Sequence, residues 1–347
     1  MKLLQDFKKR RMPLLALLIV VTLILAATPA LNQVAAQAPI RVLLVGDSRY
    51  DEFRAEDNRN ACPASLPNCR GYNWIEQIMA DSSRPNRRAY LDFGTWGYWG
   101  DLRRTGYEYN LSRTGTAYAI TWDAANIIVN QVPTKAANYL STGQFNMAIV
   151  EVGSNDFAAY FSHGYREVYD GTVSPATKAS RIINNATALF AAMRNADPDI
   201  PIVVHEISSY VATQSAIYSG FSDPAKRALA TDAINRVNTW LRSHPYSIQL
   251  VSYDTFFQYP DLATDANYIW HFGGYSINMA SAGNDPRVNG TVDGLHMSVL
   301  VNCKLANWTM RIMNNTLGMS IPEFTDNECL QQAGITPLAA TPTNTPT

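Results

Sequence analysis

The stretch Ile40-Arg41-Val42-Leu43-Leu44-Val45-Gly46-Asp47-Ser48 decides the fold. Ile40–Val45 is a short apolar, β-branched run that stops at a glycine. That pattern predicts a buried strand followed by a tight turn. Similar runs recur down the chain: a weaker one at Ala89–Phe93, then Phe145–Val152 ending at Gly153, Ile200–Ile207 and Ile248–Tyr253. Helical patterns lie between and after them. One is expected around Asn73–Ala80. A second opens with Ser174 as N-cap and Pro175 in the first turn, carries Ile182, Ala186, Leu189 and Met193 on one face, and ends at Asp197-Pro198. A third opens at Asp223-Pro224 with Leu229, Ala233, Val237, Trp240 and Leu241 on one stripe. A long irregular segment is expected up to about Gly294, then a last helix over roughly Ser298–Met313. Strands alternating with helices imply crossover connections and a parallel sheet covered on both faces. Ligands then bind beyond the carboxyl ends of the strands, here just after Val45, Val152, Ile207 and Tyr253.

The two ends of the 347-residue chain read differently from its middle. Residues 1–38 combine Lys2, Lys8, Lys9, Arg10 and Arg11 with an apolar run from Leu14 to Ala27 and the small-residue segment Val34-Ala35-Ala36-Gln37-Ala38. This is the order of a secretory signal peptide, with an uncleaved signal anchor as the alternative. Contact with a membrane is expected only in the anchored case. Residues 336–347 are Thr/Pro-rich and read as a linker or stalk. Residues 39–335 are read as one domain. The chain carries a formal charge of −1; residues 1–38 contribute +4, which leaves the remainder at −5. With no Lys/Arg-rich tract in that remainder, a nucleic acid is not an expected partner. Four cysteines in an exported chain suggest disulfides, and Cys62–Cys69 with Cys303–Cys329 is the connectivity with the shortest loops.

Three short motifs could carry chemistry. Ser48 follows the first strand, where a serine can face the cleft as a nucleophile or merely cap a helix. A serine hydroxyl needs a base to become nucleophilic. Among His163, His205, His244, His271 and His296, only His296 lies in an Asp-x-x-His, Asp293-Gly294-Leu295-His296, where the carboxylate can orient the ring. Taken alone, that tetrapeptide also reads as a surface turn. His271 is the rival base, and His205 reads as a satisfied buried histidine. Gly153-Ser154-Asn155-Asp156 follows the third strand and directs the two N–H donors of the Asn155 amide into the same cleft, where they could stabilise an oxyanion. An Asn/Asp turn would look the same. Gly283-Asn284-Asp285 is superficially similar but follows no strand. The evidence is joint placement: all three motifs fall where a parallel sheet presents its site.

On these residues the chain resembles the SGNH or GDSL hydrolase family. Gly46-Asp47-Ser48, a following glycine, Gly153-Ser154-Asn155-Asp156 and Asp293-Gly294-Leu295-His296 occur in the family's order across residues 40 to about 300. The resemblance implies an SGNH hydrolase fold, a flavodoxin-like three-layer α/β/α arrangement with a mostly parallel five-stranded sheet. It further implies Ser48 as nucleophile, His296 as general base, Asp293 as its orienter, and an oxyanion hole from the Ser48 backbone N–H, a glycine N–H and Asn155. Gly115 is taken as that glycine, with Gly94 as the alternative. Arg49 stands where the family often has leucine. No Gly-x-Ser-x-Gly elbow occurs, so the α/β-hydrolase fold fits less well. The implied activity is hydrolysis of a carboxylic ester without metal or organic cofactor. The expected partner is an acylated small molecule or polysaccharide. Tyr90, Phe93, Trp96, Tyr98, Trp99, Tyr107 and Tyr109 could stack on sugar rings or simply pack in the core. Transfer of the acyl group to a sugar and a non-catalytic binding module are the alternative readings.

Overall fold

The computed structural model describes residues 38–51, 62–79, 88–99, 105–113, 116–118, 125–158, 164–209, 216, 219–243, 246, 248–251 and 269–336. For 125–130 and 249–250 it describes the backbone only. The apolar N-terminal segment, residues 337–347, His163, His244 and Gly115 lie outside the described residues. The chain divides into two units, Met1–Ala38 and Pro39–Thr347, and the architecture below concerns the second.

β1 (Ile40–Gly46) belongs to a five-stranded sheet with β2 (Leu91–Asp92), β5 (Met147–Glu151), β6 (Ile202–His205) and β7 (Ile248–Val251). The strand order is β2-β1-β5-β6-β7, and every pairing is parallel. Beside it, β3 (Trp96–Tyr98) and β4 (Thr105–Tyr107) form an antiparallel hairpin. The described helices are α1 (Trp74–Ile78), α2 (Ala125–Leu140), α3 (Tyr165–Tyr169), α4 (Pro175–Ala196), α5 (Pro224–Arg242), α6 (Val299–Leu317) and α7 (Asp326–Gln332).

The pleat of the strands sorts their side chains onto two cores. Val42, Leu44, Met147, Ile149, Val203 and Val251 face one core with residues of α1, α6 and α7. Leu43, Val45, Ala148, Val150, Ile202, Val204 and Ile248 face the other with residues of α2, α4 and α5. The result is the expected three-layer α/β/α fold. Each fully buried Val, Leu or Ile contributes roughly 1.5–3 kcal/mol, so the strands need no polar face at all. Ser174 and Asp223 cap α4 and α5 through their side chains, as read from the sequence.

Two disulfides, Cys62–Cys69 and Cys303–Cys329, follow the shortest-loop pairing. The second staples α7 to α6; closing a loop of this length is worth on the order of 3 kcal/mol.

One expectation is corrected. The segment before Gly294 is not irregular throughout, because β8 (Ile269–Phe272), β9 (Tyr275–Ala282) and β10 (Asn289–Thr291) make a second sheet in the order β10-β9-β8. Its nucleus is a hairpin in which Phe272 pairs with Tyr275 across Gly273-Gly274. Both glycines have positive φ, 59° and 84°, as a two-residue hairpin turn requires. Trp270, Phe272, Ile277 and Met279 turn inward and extend the first core.

His205 ends β6 fully buried, its Nε2 3.1 Å from the Thr309 hydroxyl. Burial, and secondarily the charge of Arg49, hold its pKa well below the ordinary histidine value. The unfolded chain therefore binds a proton there, as pH falls below about 6.5, that the folded chain does not. Stability should fall on acidification from pH 6.5 to 5 by up to about 1.4 kcal/mol per pH unit from this group. Urea unfolding at stepped pH should show a shallower slope for His205→Gln than for wild type. Equal slopes would contradict the assignment.

Candidate active site

Register in the sheet sets the first two pieces side by side. Gly46 pairs with Glu151, so the turns that follow β1 and β5 leave the sheet together at its carboxyl edge. Gly46 must lack a side chain: a Cβ there would lie 2.7 Å from Tyr50 Cβ and 2.8 Å from Ser112 Oγ. The chain then winds tightly, with Tyr50 N and Asp51 N donating to the Asp47 carbonyl at 3.0 and 2.9 Å. Arg49 N donates to Asp47 Oδ1 at 2.9 Å. This turn presents Ser48, which is only 2% exposed.

The Arg49 guanidinium is buried and contacts the Glu151 carboxylate and the Ser154 hydroxyl, while Ser154 Oγ donates to Glu151 Oε1 at 2.9 Å. Buried charges persist only when paired. Here the pair ties the Ser48 turn to the Asn155 turn.

The third piece comes from the other end of the chain. Between β10 and α6, Asp293 Oδ1 accepts from Leu295 N at 3.1 Å and His296 N at 2.8 Å. Its other oxygen, Oδ2, lies 2.6 Å from His296 Nδ1. With the carboxylate on Nδ1, the proton belongs on that nitrogen and Nε2 is left as an acceptor. Nε2 lies 2.7 Å from Ser48 Oγ, across 248 positions of sequence. Burial works against charge on Asp293, but the His296 ring hydrogen bond, the His296 charge and the two backbone N–H donors outweigh it and hold its pKa well below the carboxylate range. The carboxylate is therefore ionised at neutral pH, where it can stabilise an imidazolium.

Asn155 starts a short 3₁₀ turn, Asn155–Phe157, and is buried. Its amide was expected to offer both N–H donors to the cleft. In the structure Nδ2 donates to the Thr116 carbonyl at 2.9 Å, which engages one of them. Asp156 beside it accepts from Tyr118 N at 2.7 Å, so residues 116–118 are fastened to this turn.

Gly115 lies outside the described residues, but its flank is informative. Leu44 N donates to Tyr109 O, Leu111 N to Leu44 O, and Arg113 N to Gly46 O, so residues 109–113 run along the end of β1 toward Ser48. Gly94 follows β2, whose Asp92 pairs with Arg41 near the start of β1, and its N–H donates to Asp92 Oδ1 at 2.8 Å. His271 is exposed on β8, its Nδ1 3.1 Å from the Ser276 hydroxyl, away from this constellation. Among the described residues, no three His, Cys, Asp or Glu side chains are grouped to hold a metal ion.

With this geometry in view, comparison with solved structures returns esterases and lipases. A family 3 carbohydrate esterase from Talaromyces cellulolyticus is 14% identical, covering 81% of this chain and 100% of its own, with a TM-score of 0.38. A Clostridium thermocellum family 3 carbohydrate esterase is 13% identical over 81% and 98%, with a TM-score of 0.40. A chain from Parabacteroides merdae described as a GDSL-like lipase is 14% identical over 80% and 96%, with a TM-score of 0.41. No family model and no curated protein matches the sequence. Identities this low and TM-scores below 0.5 leave the chemistry to the chain's own geometry.

Sequence reasoning missed the residues that surround the site from α1 and α6. Asn73, Gln77 and Asn302 are uncharged, sit in helical patterns and carry no motif, so only their contacts reveal them.

If Asn155 donates to a developing oxyanion, Asn155→Ala should lower turnover by roughly 10²–10³-fold. Steady-state rates on an acetyl ester check this, and a near-normal rate would remove Asn155 from the site.

Proposed function

We propose that the chain is a secreted serine esterase of the SGNH/GDSL type. The observation that carries this reading is the continuous relay from Asp293 Oδ2 to His296 Nδ1 at 2.6 Å and from His296 Nε2 to Ser48 Oγ at 2.7 Å. A structural histidine has no need of a buried serine on one nitrogen and an ionised carboxylate on the other. In this reading Ser48 Oγ attacks the ester carbonyl as its proton passes to His296 Nε2. The negative charge on the carbonyl oxygen is met by the Ser48 and Gly115 backbone N–H groups and the remaining Asn155 amide hydrogen. His296 then gives its proton to the leaving alkoxide, and the acyl group stays on Ser48. Water, deprotonated by His296, releases the acid and restores the serine.

Acylated carbohydrate is the preferred substrate class. Exposed large apolar side chains concentrate on one short segment, where Tyr98 is 70% exposed and Tyr90, Trp96 and Trp99 are each about 40% exposed. Trp96 and Tyr98 stand two apart on β3 and share a face of the hairpin. Aromatic faces of this kind suit the apolar faces of sugar rings. Export agrees with the two disulfides. No helix among the described residues is long and apolar enough to cross a membrane.

The test is hydrolysis by purified residues 39–335 of acetylated xylan and of chromogenic acetate, butyrate and longer esters. Wild type should release acetate, and Ser48→Ala should lower the rate by at least ~10³-fold. A folded protein that cleaves none of these esters, or a Ser48→Ala variant of undiminished rate, would overturn the proposal.

A further inference from the structure

We infer that Asn73 and Gln77 of the short helix α1 are positioning residues that set Ser48 and His296 at reacting distance; the inference rests on the esterase reading of that pair. Ser48 and His296 belong to segments with no sequence proximity, and a single element between β1 and β2 grips both. On one side, Asn73 Nδ2 donates to the carbonyls of Arg49 at 3.3 Å and Asp51 at 3.1 Å, the residues that follow Ser48. On the other, Gln77 Nε2 donates to the carbonyl of Val299 at 2.9 Å, at the start of α6 and three residues past His296. It also donates to Tyr72 O at 3.0 Å. Both neighbours of that nitrogen are carbonyls, which fixes the orientation of the amide.

A second strap runs beside the first. Trp74 N donates to Asn302 Oδ1 at 3.3 Å, and Asn302 Nδ2 donates to Met297 O at 2.8 Å and Ser298 O at 3.2 Å, the residues directly after His296. Asn73 and Gln77 are fully buried and Asn302 is 3% exposed, so these bonds have no competition from water. The Trp74 ring locks the helix in place, edge-on to Tyr50 at 5.1 Å and stacked with His205 at 6.0 Å. Five helical residues would not hold together alone. What they contribute is a fixed distance between two loops.

Two variants separate positioning from folding. Asn73→Ser keeps an oxygen that can cap α1 but replaces the two amide N–H donors to Arg49 and Asp51 with a single hydroxyl of shorter reach. Gln77→Met keeps the volume and loses the donors to Val299 and Tyr72. The first readout is the ¹⁵N resonance of His296 Nε2, which senses the Ser48 hydroxyl whether or not the protein cleaves an ester. In both variants it should move toward its position in Ser48→Ala, while the Nδ1 proton shared with Asp293 stays in place. The second is kinetics on an acetyl ester: kcat should fall ten- to a hundredfold with KM within about twofold, as expected when reacting groups are displaced by a fraction of an ångström to an ångström. If folded Gln77→Met and Asn73→Ser both keep the wild-type Nε2 resonance, the inference is overturned, whatever the activity. If wild type shows no Ser48-dependent hydrolysis, the esterase reading fails and the resonance alone decides the positioning role.

Discussion

The parallel register of β1 against β5 is the constraint on which the site depends. Because Gly46 lies opposite Glu151, the two turns that carry Ser48 and Asn155 leave the sheet at the same level. Val42 and Leu44 fill one core and Leu43 and Val45 the other, so a slip of one residue would exchange the two sets and spoil the packing of both cores. The buried Arg49–Glu151 pair then fastens the turns to one another where the ladder stops. Core packing and site geometry are one problem in this fold.

The third group is brought in differently. Asp293 and His296 follow the small second sheet, whose Gly273-Gly274 hairpin and inward Trp270 and Ile277 fix it to the first core. Local hydrogen bonds within Asp293–His296 set the ring's orientation. Distance to Ser48 is not a local property, and the buried amides of α1 bridge that gap. Neutral amides suit the task, because they hold carbonyls without adding charge beside an ionised carboxylate.

Much of this was legible in the residues. The five strands, the capped helices α4 and α5, the shortest-loop disulfides and the placement of three motifs at one sheet edge follow from apolar periodicity, N-cap chemistry and glycine stops. The Gly273-Gly274 hairpin is readable in principle, since Ser276 and Asn278 alternate with the buried Ile277 and Met279 beside a two-glycine turn. Other features were not. Helix α2 is hidden because Pro133 lies inside it, where proline ordinarily marks a helix end. The contacts of Arg49, Asn73 and Gln77 join positions up to 222 residues apart, and no local pattern encodes a partner at that distance. The Asn155 amide shows the same limit: its residue type announces a donor, and only the fold reveals that Thr116 takes part of it.

The central claim is that Ser48 is a nucleophile made reactive by His296. Exposure of the folded protein to an organophosphonate ester, followed by intact mass and peptide mapping, tests it without assuming a substrate. The account predicts one phosphonyl adduct per chain on the peptide containing Ser48, absent in Ser48→Ala and strongly slowed in His296→Ala. No adduct on the folded wild type, or an adduct on another residue that persists in Ser48→Ala, would contradict it.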